Sequence, residues 1–284
     1  MGMPGVRRTQ ALLGYLPLSW LLILLCASFW VGCAQVPLTN RRALNIVSDS
    51  ELTQLGINEY RKILRTTRPC TDREKVEMVQ RVGRRIATEA ENFLQESGLG
   101  YKIRYFQWEF TLFQDDKQAN AWCLPGGKVG VYTGILKYTQ NEAGLAVVLG
   151  HEIAHAIAGH GNERMSHAIL AQLGGMALSR AMASSPETTR GIFNQVYGIA
   201  ASVGVILPYS RLQEEEADRI GLVLMARAGY DPREAISFWE RMKKDSSHRT
   251  PEFLSTHPLP ESRISYINSY IPEALRYFKQ ASGG

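Results

Sequence analysis

Five residues near the middle of the chain carry its sharpest chemistry: His151-Glu152-Ile153-Ala154-His155, two imidazoles four positions apart with a carboxylate beside the first. They lie in an apolar run from Leu145 to Ala158 that reads as a helix. At about 3.6 residues per turn, positions i and i+4 leave one face a turn apart, so both rings can reach one ion. Glu152 falls about 60° around the helix from His155, on the flank of that face, where it approaches the ion's open side without binding it. A carboxylate there suits a general base that takes a proton from an attacking water, and the pattern points to metal-assisted hydrolysis.

A catalytic zinc takes three protein ligands and leaves one position free, so a third ligand must come from elsewhere in the chain. His160 falls about 140° from His155 on the same helical wheel and faces away, so it reads as a solvated or cap-region histidine. His167 and His248 carry no stronger signal. Glu214-Glu215-Glu216 opens a later helix that continues through Ala217, Asp218, Ile220 and Leu222. Acidic residues at a helix start often do no more than complement its dipole. Glu214 and Asp218, however, share a face, so Glu214 would ligate and Asp218 would hold a ligand imidazole in place. Spacing alone does not choose between Glu214 and Glu215.

The elements that must position these groups are mostly helical. Ser48 with Glu51 and Thr71 with Glu74 have capping-box spacing, predicting helices from there to about Leu64 and Gln95. Ile103, Tyr105, Trp108, Phe110 and Leu112 read as strand, and a hairpin from Ala119 to Leu136 turns at Pro125-Gly126-Gly127. Further helices are predicted near 141–159, 163–183, 189–206, 210–228, 232–244 and 260–281, the last interrupted at Pro272. The apolar stretch Ile192–Leu207 is too short for a membrane span and reads as a buried helix or a mobile cover over the cleft. The expected architecture is α+β, mostly helical, with a small antiparallel sheet packed on a helical body.

The chain resembles the HtpX-like and CAAX-prenyl-protease-like zinc metallopeptidases, in particular their BepA-like bacterial envelope branch, from about Asn45 to Ile271. Asn120-Ala121-Trp122-Cys123-Leu124-Pro125-Gly126-Gly127, His151-Glu152-x-x-His155, Ser210-Arg211 ahead of Glu214-x-x-Ala217-Asp218, and His257-Pro258 with Arg263 stand in the family's order. The resemblance implies a zincin-type fold and one zinc on His151, His155 and Glu214. It also implies Glu152 as base and proton shuttle, and Asp218 in support of a ligand. His257 or Arg263 is then an oxyanion donor if the C-terminal segment folds over the cleft. Alternatively His257 latches the open metal position or is a surface histidine before a turn, and Arg263 is a structural ion-pair partner. Substrate is expected as an added strand along Asn120, Ala121 and Trp122, drawn from unfolded or misassembled cell-envelope proteins. A metal-binding chaperone and an aminopeptidase on the same scaffold are the rival readings.

The remaining expectations concern placement. Arg7 and Arg8 followed by the apolar run Leu12–Val31 read as a signal peptide over residues 1–32. Val31-Gly32-Cys33 resembles a lipobox, so residues 33–48 read as a lipid anchor at Cys33 and a tether, residues 49–284 as the metallopeptidase domain, and the location as the periplasm-facing outer membrane. The alternative is an uncleaved membrane span. Cys70 and Cys123 would be left either paired or as buried free thiols. The net charge of +5 is too mild to argue for nucleic acid.

Overall fold

The computed structural model describes residues 33–174, 191–192, 195–197, 209–246, 251–258 and 261–281. The signal segment 1–32, most of the predicted 189–206 helix, the second half of the 163–183 helix, and His248 lie outside them. Ala34–Gly284 form one compact unit. Among the described residues no helix is long and apolar enough to cross a membrane.

In chain order the elements are β1 (Cys33–Gln35), β2 (Arg42–Leu44), α1 (Asp49–Thr66), α2 (Arg73–Glu96), a 3-10 turn (Gly100–Tyr105), β3 (Glu109–Phe113), β4 (Ala121–Leu124) and β5 (Lys128–Tyr132). There follow the short α3 (Leu136–Thr139), α4 (Glu142–Ala158), α5 (His160–Gly174), α6 (Arg211–Arg227), α7 (Glu234–Ser246), the short α8 (Phe253–Thr256) and α9 (Glu261–Ala281). Ser48 caps α1 as expected, whereas α2 is capped by Asp72, one residue beyond the expected Thr71. Pro272 lies inside α9 without ending it. Proline removes only one donor there, and Ile267, Ile271 and Ala274 stay buried on either side of it.

The hairpin of β4 and β5 is antiparallel, as its turn sequence predicts, but β3 joins β5 in parallel, so the three-stranded sheet is mixed, in the order β3-β5-β4. The expected strand from Ile103 starts only at Glu109. Its alternation slips by one residue between Tyr105 and Trp108, and the segment before the slip is the 3-10 turn. The edge strand β4 packs on α4, which is the central helix and also touches α2, α6 and α7. Almost every residue of α4 is buried, which explains why it is apolar on all sides rather than along one stripe.

Residues 34–48, expected as a tether, are folded onto the body. Val36 and Ala43 are buried, and the backbone N–H of Val36 donates to the carbonyl of Arg41 across a tight turn. Cys70 and Cys123 are free, buried thiols.

Candidate metal centre

Two helices bring the polar groups together, and glycine sets their separation. A Cβ on Gly150 would lie 2.9 Å from the carbonyl oxygen of Gly221, and one on Gly221 would lie 2.9 Å from the carbonyl carbon of Gly150. The backbones of α4 and α6 therefore cross in contact, one residue from His151 and three from Asp218. Asn141 fixes the start of α4 by accepting from the Gly144 N–H at 2.8 Å. A complete capping box of Ser210 and Gln213 fixes the start of α6 just ahead of Glu214.

His151, His155, Glu214 and His257 are buried and offer ligand atoms that all lie within 4.8 Å of one another. His151 Nε2 is 3.0 Å from His155 Nε2, and these atoms are 3.5 Å and 3.4 Å from the two oxygens of Glu214. Donors about 2.0–2.1 Å from a tetrahedral zinc stand about 3.4 Å apart, so the three groups fit such an ion. His257 Nδ1 completes the figure, 3.0 Å from His151 Nε2 and 2.9 Å from Glu214 Oε1. Its other nitrogen is 3.2 Å from Glu152 Oε1.

The outer nitrogens of the rings decide which lone pairs face inward. His155 Nδ1 is 2.8 Å from His160 Nδ1, and His160 Nε2 is 3.2 Å from Glu216 Oε2. Proton placement that satisfies both contacts has His155 donating through Nδ1 and His160 donating through Nε2, so His155 Nε2 carries a lone pair. Asp218 Oδ1 lies 3.0 Å from His151 Nδ1, close enough for electrostatic attraction although off the hydrogen-bond direction. That contact favours the proton on Nδ1 and a lone pair on Nε2. Two such lone pairs 3.0 Å apart beside a carboxylate, in a buried site, suit a cation between them.

Burial pushes the pKa values of both rings down, His155 well below the usual histidine range, which keeps them neutral and able to ligate. Burial alone would raise Glu214, but the facing His257 and Arg263 more than offset it and hold its carboxyl well below the usual carboxylate range. Glu152 goes the other way: burial, opposed in part by His257, pushes it up to about 7. A carboxyl with this pKa takes and returns a proton near neutrality.

The sequence-derived residues are thus brought together, with differences in detail. Asp218 reaches His151, as expected of a residue supporting a ligand. His257 is buried against three other site residues and is no surface histidine. Arg263 is committed to carboxylates and carbonyls. It pairs with both oxygens of Asp218 at 2.8 Å and 2.9 Å, approaches Glu214 Oε2 at 2.6 Å, and donates to the Pro258 carbonyl. Four of its five N–H groups are thereby engaged, which is the ion-pair alternative to an oxyanion donor. Asn120, Ala121 and Trp122 line a cavity with Glu152, Tyr209 and His257, on the open edge of the sheet. The indole of Trp122, however, packs into the body between Tyr60 and Phe113, so its side chain does not stand out from that edge.

Sequence reasoning missed two groups. His160 was expected to be solvated or to sit at a cap; it does open α5 directly after Gly159, but it is fully buried behind His155. Tyr209 carried no motif, yet its ring stacks on that of His155 with centroids 3.8 Å apart.

A model of peptidase family M48 matches residues 77–271, more than half of the chain. The mitochondrial metalloendopeptidase OMA1 of Schizosaccharomyces pombe is 33% identical over 252 residues, covering 84% of this chain and 66% of that protein. The human mitochondrial metalloendopeptidase OMA1 is 39% identical over 57% of this chain and 32% of its own length. The beta-barrel assembly-enhancing protease of Yersinia pestis is 34% identical over 56% and 33%. The chain therefore spans between about a third and two thirds of the length of these relatives. Mitochondrial relatives from fungi, plants and animals overturn the expected address on a bacterial outer membrane facing the periplasm. At family level the resemblance read from the motifs holds: the chain belongs to peptidase family M48, a family of metallopeptidases.

Proposed function

We propose that the chain is a zinc-dependent endopeptidase that cuts unfolded or misassembled proteins, with His151, His155 and Glu214 as metal ligands and Glu152 as the general base. The observation that carries this reading is the buried convergence of two neutral imidazoles and one ionised carboxylate, with the Glu152 carboxyl on their flank. Zinc, when bound, would polarise the scissile carbonyl and lower the pKa of water toward neutrality. Glu152 accepts the water proton and passes it to the leaving amine. Asp218, held by Arg263, keeps His151 oriented.

Substrate lies along β4 as an added strand. β4 is an edge of the sheet, it borders the cavity that contains Glu152, and pairing through backbone groups makes little demand on sequence. Cleavage then requires an extended segment, which unfolded chains supply and compact domains do not. His257 acts as a latch, because its Nδ1 stands at the fourth corner of the ligand set, where water and substrate must enter.

The test is metal analysis of the purified protein together with cleavage of an unfolded protein, with and without a chelator. One zinc per chain and chelator-sensitive internal cleavage of peptides with blocked termini are expected. Protein that takes up no zinc, or that trims only free N-termini, rejects the reading.

A further inference from the structure

The turn between β1 and β2 is built in an unusual way, and its Thr39 and Arg41 point at the far end of the candidate metal centre. Leu38 and Asn40 both have positive φ, 68° and 54°, which costs energy for residues other than glycine. Gln35 Nε2 donates to Asn40 Oδ1 at 2.6 Å, and the Asn40 N–H donates to the Val36 carbonyl, so the turn is pinned at both sides. The strained conformation places Thr39 and Arg41 over α5 and α6. Thr39 Oγ1 donates to Glu216 Oε1 at 2.5 Å, and Arg41 Nε donates to Glu216 Oε2 at 2.9 Å. The other two nitrogens of Arg41 fork onto Glu163, at 2.5 Å and 2.8 Å, and Gln213 Nε2 holds the same carboxylate at 2.7 Å.

Glu216 is thereby gripped from one side and presents Oε2 to His160 on the other. An unbroken chain of contacts runs from Thr39 and Arg41 through Glu216 and His160 to Nδ1 of His155. We propose that Thr39 and Arg41 are positioning residues for the metal site: they fix Glu216, which sets the tautomer of His160, which in turn commits the His155 proton to Nδ1 and turns its Nε2 lone pair toward the ion.

The physical reason is the double role of an imidazole. If His160 were free to carry its proton on Nδ1, it would meet the Nδ1 proton of His155 head-on, and His155 would rotate or take the opposite tautomer, with its proton where the ion should be. An ionised carboxylate on His160 Nε2 removes that choice. Groups that orient a ligand imidazole in this way change metal affinity by about 10- to 100-fold when they are removed. Arg41 and Thr39 also explain why residues 34–44 are folded on the body rather than strung out as a tether.

This inference rests on the reading of His151, His155 and Glu214 as zinc ligands, and the experiment keeps the two separable. Zinc affinity of the full chain would be measured by competition with a chromophoric chelator for the wild type, Thr39→Val, Arg41→Ala and Arg41→Lys. The cobalt(II)-loaded forms would be compared by visible absorption. Arg41→Ala should bind zinc about 10-fold or more weakly with a shifted cobalt spectrum, Thr39→Val should show a smaller loss, and Arg41→Lys should recover part of it. Folded variants that bind zinc as tightly as the wild type, with the wild-type cobalt spectrum, overturn the proposal while leaving the ligand assignment intact. Wild-type protein that binds no zinc overturns both. If Arg41→Ala does not fold, Thr39→Val decides, since it removes one hydroxyl and keeps the side-chain volume.

Discussion

Burial and the charge of Glu214 raise the pKa of Glu152, whereas His257 and Arg263 lower it, and the balance stands near 7. A base must be ionised to act, so kcat/KM for an unfolded substrate should fall as the pH drops through about 7. Glu152→Gln should keep its zinc and lose about 10²- to 10⁴-fold in kcat, with no acid limb left in the residual rate. A metal-loaded Gln variant that still cleaves at the wild-type rate rejects Glu152 as the base. His257 makes a prediction of opposite sign. As a latch it competes with water for the fourth corner, so His257→Ala should raise cleavage and weaken zinc binding slightly. A drop in kcat of about 10²-fold, with zinc binding unchanged, would make it an oxyanion donor instead. The groups that converge in the candidate site were legible in the sequence because a helix converts spacing into direction, which holds for His151, Glu152, His155 and the pair Glu214–Asp218. The burial of His160 was hidden because the wheel of α4 gives no direction beyond Gly159. That residue has a φ of 75° and ends the helix, so the phase restarts in α5 and the ring swings back behind His155.

At the level of elements, the crossing of α4 and α6 decides whether the ligands meet. The sequence marks both helices by cap and periodicity, but it holds no signal that Gly150 and Gly221 face each other, since contact between residues 71 apart is a property of packing. Gly221→Ala would push a methyl group into the backbone of α4. Overpacking of this kind costs about 1–3 kcal/mol and forces the helices apart. The variant should therefore show both a lower midpoint in urea and weaker zinc binding, whereas a surface variant such as Gln54→Ala should change neither. Wild-type zinc affinity in Gly221→Ala would mean that the ligand geometry does not depend on this crossing. The parallel pairing of β3 with β5 was likewise hidden. Side-chain alternation reports which face of a strand is buried and is silent on the direction of its neighbour.

For the molecule as a whole, the N-terminal ribbon and the helical body are joined by charge as well as by apolar contact. A tether was expected because residues 34–48 contain Pro37 and the Arg41-Arg42 pair, and their burial becomes visible only once Glu163 and Glu216 lie beneath them. This joint makes stability depend on acid in a definite way. Burial would raise the Glu216 carboxyl, but hydrogen bonds from His160, Arg41 and Thr39 outweigh it and pull the pKa down to about 2. A carboxyl depressed in the folded state binds fewer protons there than in the unfolded chain. Its stabilisation is therefore complete above the unfolded value near 4.5 and is lost as the pH falls toward about 2. Urea unfolding of the wild type and Glu216→Gln should accordingly differ by an amount that is constant from about pH 7 to pH 5 and shrinks by more than half by about pH 3. A difference that stays the same down to pH 3 would mean that the Glu216 charge does not fasten the ribbon to the body.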